Sequence, residues 1–166
     1  MLLDPAPGFV HDDYAGQWYE VGKIQTPGGA FFQRDCFCTE LGVTILDDNT
    51  GDGQTANNCR SGSSSGQWKN ITGKLYDEDP AHKGHWLQAI GTNSVNYTVI
   101  AISGKDYAVE YDCTTSSLGI TNYCIHVVSR TRSLNQSTFD NLIKFAEGLG
   151  LNPQNLPVEM TRQGGC

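Results

Sequence analysis

Trp18-Tyr19-Glu20-Val21-Gly22-Lys23-Ile24 alternates between bulky apolar and polar or small side chains over seven residues. Successive side chains on an extended chain leave opposite faces, so this alternation predicts a strand with one face turned to a core. Pro27-Gly28-Gly29 ends it, and Phe31-Phe32 follow in a long loop. Similar short stretches recur downstream, at about Cys36 to Leu46, Gln54 to Arg60, Gln67 to Tyr76, Gly84 to Gly91, Asn96 to Ser103, Asp106 to Cys113 and Tyr123 to Arg132. Turn-forming groups separate them: Asp47-Asp48-Asn49-Thr50-Gly51, the Ser/Gly tract 61–66, Asp77-Glu78-Asp79-Pro80 and 114–122. Eight strands spaced at roughly 10–15 residues describe an antiparallel meander rather than alternating strands and helices. Closure into a barrel removes the exposed edges of such a meander, and eight strands leave an interior able to hold one small ligand. The composition alone also permits a sandwich.

One segment has helical period. Phe139, Leu142, Ile143, Ala146 and Leu149 form a single apolar stripe, which predicts a helix over about 137–148 packed outside the sheet. Ser137 is read as its cap, with Asp140 three residues later, and Gly148 and Gly150 as its stop. Residues 1–13 read as an irregular arm, residues 14–166 as the globular unit, and the stretch after Asn152 as an extended tail. Met1 to Val10 lacks a basic start and a long apolar run, so the chain reads as mature, without a signal peptide.

Charge and composition narrow the class. Eleven Lys plus Arg against eighteen Asp plus Glu give a net charge of −7, and the basic residues are scattered, which argues against nucleic acid as partner. Apolar runs such as Val99-Ile100-Ala101-Ile102 are too short to span a membrane as a helix. Six cysteines, an even number in a small chain, point to three disulfides and an oxidising, extracellular setting. The sequons at Asn70, Asn96 and Asn135 agree with secretion as a glycoprotein. Cys36-Phe37-Cys38 is too closely spaced for a zinc knuckle, and His82 with His85 lacks completing ligands, so no metal site is expected.

Two motifs at opposite ends of the strand region carry a resemblance. Tyr14-Ala15-Gly16-Gln17-Trp18-Tyr19-Glu20 resembles the Gly-x-Trp motif of the lipocalin family, and Val127-Val128-Ser129-Arg130-Thr131-Arg132 resembles its last strand with a following arginine. One helix and a tail ending in Cys166 then follow, as in the apolipoprotein D, bilin-binding protein and crustacyanin subgroup, and Tyr107 to Cys113 matches that subgroup's Tyr and Cys pattern. The family's Thr-Asp-Tyr motif is missing near Ile102-Ser103-Gly104, and the arm lacks the cysteine that usually partners the one matching Cys113. The resemblance implies an eight-stranded up-and-down barrel with one C-terminal helix outside. It also implies a floor made by Gly16, Trp18 and Arg130, with the guanidinium laid over the indole, a contact worth about 0.5–2 kcal/mol. It implies a Cys36–Cys166 disulfide. Near-symmetry about the intervening turns suggests Cys38–Cys59 and Cys113–Cys124 for the remainder.

The expected function is binding of one small hydrophobic molecule for transport, storage or colouration. The resemblance favours a pigment, a bilin or a carotenoid chromophore, ahead of a retinoid, steroid or fatty acid; no other cofactor is required. Residues expected to line the cavity are Phe31, Phe32, Trp68, Tyr76, Trp86, Tyr97, Tyr107, Tyr111, Tyr123 and His126. No catalytic constellation is visible. The enzymatic alternative is a lipocalin-type isomerase using a free pocket cysteine, Cys36 or Cys38, and the even cysteine count speaks against a free thiol. Association of barrels into a homo-oligomer stays open.

Overall fold

The first strand, β1, covers Gly16–Gln25 and begins at a glycine with φ +105°, where an added Cβ would stand 3.2 Å from the Arg130 guanidinium. It continues into β2 (Cys36–Ile45), β3 (Gly53–Ser61), β4 (Trp68–Tyr76), β5 (His85–Ile90), β6 (Asn93–Ser103), β7 (Tyr107–Thr115) and β8 (Thr121–Ser129) in a computed structural model that describes residues 3–166. Each strand pairs antiparallel with the next, and β1 pairs with both β2 and β8, so the sheet closes into an eight-stranded up-and-down barrel. The expected architecture is therefore the one found.

β1 is shared between neighbours. Its first half, Gly16 to Tyr19, pairs with β2, and its second half, Tyr19 to Gln25, pairs with β8 across a bulge at Val21. Where β2 leaves it, the two-residue strand β9 (Glu159–Met160) takes the open edge at Gly22 and Lys23. The tail is thereby wedged between β1 and β2. Gln163 Nε2 donates to the carbonyls of Glu20 and Thr39 at 2.8 Å each, and Cys38 N donates to Arg162 O at 2.9 Å.

Helix α2 (Gln136–Gly148) lies on the outside of β1 and β8; the short turn α1 (His11–Tyr14) precedes β1. Phe139, Leu142, Ile143 and Ala146 are buried against Val21, Ile24, Ile125 and Val127, while Leu149 lies beyond the last turn and is half exposed. The cap is Asn135 rather than Ser137: its Oδ1 accepts from Ser137 N at 3.0 Å and Thr138 N at 3.4 Å. An Asn one step before the helix satisfies the same orphan amides a Ser would, so the cap moved without moving the helix.

The arm is less irregular than its sequence suggests. Met1 and Leu2 lie outside the described residues; beyond them Ala6 N donates to Val99 O at 2.9 Å, and Phe9 and Tyr14 are buried. A second core therefore joins Phe9, Tyr14, Trp18, Trp86 and Tyr97 inside the barrel, separate from the core under the helix.

All three expected disulfides are corrected. The bonds present are Cys36–Cys59, with Cα atoms 5.4 Å apart, and Cys38–Cys166, at 5.6 Å. A bulge between Phe37 and Glu40 breaks the simple hairpin symmetry, and Cys38 takes a positive φ that turns it to the tail, leaving Cys59 to Cys36. Cys113 and Cys124 are free. Cys113 pairs with Tyr123 and Cys124 with Asp112, so adjacent register positions send the two thiols to opposite faces.

Candidate ligand cavity

One end of the barrel is shut. Trp18 is fully buried, its Nε1 donates to Tyr14 O at 2.7 Å, and the Arg130 guanidinium stands 3.5 Å from the ring centroid. Arg130 lies just past the end of β8, and from there Nη1 and Nη2 donate to the carbonyls of Gln17 (2.8 Å), Asp13 (3.0 Å) and Ala15 (2.8 Å). One planar fork thus ties the floor aromatic to the incoming chain. Trp86 stacks on Tyr14 at 5.9 Å between centroids and donates to Gly51 O at 2.8 Å.

Above this floor is a cavity of about 480 Å³, inside the roughly 300–1,000 Å³ range of small-molecule sites. Leu41, Ile71, Ile90 and Val95 supply apolar wall, and the loop carrying Phe31 and Phe32 stands at the open end. The opposite wall is polar. Glu20, Glu110, Asp112 and His126 all face the cavity. Trp18 fixes the phase of β1, so Glu20, two residues on, faces inward; on β7 the inward set is Ala108, Glu110, Asp112 and Thr114, and on β8 it is Asn122, Cys124, His126 and Val128.

His126 is the hub. Its Nδ1 donates to Glu20 Oε2 at 2.7 Å and its Nε2 to Asp112 Oδ2 at 3.2 Å, with Cys124 Sγ 3.7 Å from Nδ1. Burial opposes its charged form, but Cys124, Asp112 and Glu20 outweigh that and hold its pKa well above the usual histidine range. Burial likewise pushes Glu20 up, and the His126 hydrogen bond, the charges of Lys23 and His126 and the Thr161 hydroxyl reverse it, to about 2. Glu110 is compensated less well, by the His126 charge and by hydrogen bonds from Tyr14 and Tyr97. Tyr14 donates to its Oε1 at 2.6 Å and also bonds the Tyr97 hydroxyl, yet burial dominates and pushes Glu110 up to about 7. Burial lifts the Cys124 thiol to about 11.

Of the ten residues expected to line the cavity, Phe31, Phe32, Tyr97 and His126 do so, and Trp86 lies in the floor cluster. The other five are corrected. Tyr107, Tyr111 and Tyr123 are on the outer face, packed with the core under the helix. Trp68 is exposed beneath Arg60, and Tyr76 is exposed, because the inward phase of β4 belongs to Ile71, Gly73 and Leu75. The expectation assumed that aromatics face the ligand. Here the helix gives the outer face its own apolar cover, and the inner face carries the acids. Glu20, Glu110 and Asp112 were missed; counting in twos from Trp18 would have found Glu20.

Comparison with known proteins agrees with this architecture. The model of a lipocalin-like domain matches residues 11–160. No curated protein sequence matches the chain. Among solved structures, lobster apocrustacyanin A1 superposes with a TM-score of 0.70 at 17% identity, covering 93% of this chain and 80% of that one. Apocrustacyanin C2 gives 0.68 at 18% identity, covering 92% and 79%. The siderocalin Ex-FABP gives 0.62 at 16%, covering 93% and 97%. With the closed barrel, its Trp18–Arg130 floor and a family match over most of its length, the chain belongs to the lipocalin family.

Proposed function

We propose that this protein binds one small, largely hydrophobic molecule in the barrel cavity, for transport, storage or colouration, and that the molecule is a pigment of the bilin or carotenoid kind. The observation that carries this reading is the cavity itself: closed below, open above, apolar on one wall and acidic on the other. Apolar ligand surface buried there contributes about 25 cal/mol per Å² before ordering costs. The acidic wall ranks the candidates. A fatty acid would bring its carboxylate against Glu20, Glu110 and Asp112, whereas the pyrrole N–H groups of a bilin can donate to Glu110 and Asp112. A carotenoid uses only the apolar wall. The likeness to apocrustacyanins supports a pigment without choosing between these two.

The reading is of a binding protein. Cys36 and Cys38, the candidates for an isomerase nucleophile, are both in disulfides. Cys124 is free, but a thiol held near 11 is a poor nucleophile at neutral pH. The disulfides support an extracellular setting. Asn70, Asn96 and Asn135 are all exposed, which leaves each sequon open to glycosylation.

The test is reconstitution with biliverdin, a carotenoid, retinol, a steroid and a fatty acid, read by ligand absorbance and tryptophan quenching. Saturable one-to-one binding of biliverdin or the carotenoid, with a shifted visible band, is expected. A protein that takes up neither pigment contradicts the pigment reading, and one that takes up none of the five contradicts ligand binding.

A further inference from the structure

We propose that Asp112, Cys124 and His126 form a site for one thiophilic divalent cation, Zn²⁺, on the inner wall of the barrel. The three come together through sheet register. Cys124 and His126 are two apart on β8 and share its inner face, and Asp112 on β7 is the direct cross-strand partner of Cys124. One ligand atom from each lies within 4.8 Å of the others, and Cys124 and His126 are buried. Thiolate, imidazole and carboxylate are the donor types Zn²⁺ takes, and three protein ligands with a fourth position open describe the sites that also bind an exchangeable group.

One edge of the site suits such an ion as it stands, and Cys124 Sγ, 3.7 Å from Nδ1, has to turn toward Nε2 to complete it. Nε2 and Asp112 Oδ2 are 3.2 Å apart, about the edge that two bonds of ~2.0–2.1 Å subtend near a tetrahedral angle. Nδ1 is meanwhile held at 2.7 Å by Glu20 Oε2, whose other oxygen accepts from Thr161 Oγ1 at 2.7 Å. A carboxylate on the far nitrogen is the usual outer support of a metal-bound histidine: it fixes the ring and leaves Nε2 for the ion. On binding, Nε2 and Sγ each release a proton to solvent and the cation takes their place. Asp112 and His126 line the cavity, so the fourth position is open to water or to a donor atom of a cavity molecule. This site does not rest on the pigment reading, since it needs only the three side chains and their register, although both readings use Asp112.

The experiment uses the intact, metal-free protein with both disulfides in place. Zn²⁺ is titrated against a chromogenic chelator, and Co²⁺ serves as the spectroscopic probe. One equivalent of Zn²⁺ is expected, with a thiolate-to-cobalt charge-transfer band in the near ultraviolet. Cys124→Ser should abolish the band and, like Asp112→Asn at its partly exposed position, weaken Zn²⁺ at least tenfold. His82→Asn, which removes the surface pair with Asp79, should change neither. Absence of uptake overturns the site, as does binding that survives both Cys124→Ser and Asp112→Asn or that is lost in His82→Asn.

Discussion

Cys113 and Cys124 sit one register step apart on neighbouring strands and face opposite sides of the barrel wall. Cys113 packs with the outer core beside Tyr111 and Tyr123, and Cys124 lies inside beside His126. Two free thiols are thus built into a protein that otherwise pairs its cysteines. Alkylation without reductant should label two thiols in denaturant. Under native conditions only the half-exposed Cys113 should react, and faster above neutral pH because burial raises its thiol pKa. A denatured, unreduced chain with no reactive thiol would contradict this pairing.

The floor should depend on the shape of Arg130 as well as its charge. Arg130→Ala removes the contact with Trp18 and four bonds to carbonyls, those of Asp13, Ala15, Gln17 and Lys105. A loss of about 2–3 kcal/mol is expected, a fall of roughly 5–10 °C in melting temperature. Arg130→Lys keeps the charge without the planar fork and should recover only part of it. Thermal melts followed by tryptophan fluorescence check both.

Cys166→Ser should loosen the tail without opening the barrel. The Cys38–Cys166 bond closes 128 residues of sequence and holds the segment wedged beside β1. A loss of about 2–4 kcal/mol is expected, with hydrogen exchange increasing first at the Thr161 amide, which bonds Val21 O at 2.9 Å. Unchanged exchange there would show that the tail holds without its clip.

Two glycines should respond in opposite senses. A Cβ at Gly22 would stand 2.6 Å from the Phe139 ring and 3.2 Å from Glu159 O, so Gly22→Ala should lift both helix and tail. A loss of about 1–3 kcal/mol is expected. Gly148, the last residue of α2, has open space around it, and Gly148→Ala should leave stability equal or raise it by up to about 1 kcal/mol. Paired urea melts compare the two.

The barrel was readable because Trp18, Arg130, eight alternating stretches and one helical stripe each act locally and agree with one another. What the sequence did not disclose was phase and register. The alternation of β4 and β7 is equally regular on both faces, so nothing local says whether Ile71 or Trp68, Glu110 or Tyr111, points inward. Closure decides that, and on β7 the core under the helix covers the outward Tyr111. The disulfides failed for the same reason: the bulge after Phe37 is invisible to counting, and it redirects two of the six cysteines.

The ligand is expected in the space above Trp18, on the face that Ile71 shares. The decisive measurement titrates biliverdin into the wild type, Ile71→Trp, which fills that space, and Trp68→Ala, which alters the outer face of the same strand. One-to-one binding is expected in the wild type and Trp68→Ala, and its loss in an Ile71→Trp variant that still melts cooperatively. Binding kept by Ile71→Trp and lost by Trp68→Ala would place the ligand outside the barrel and contradict the account.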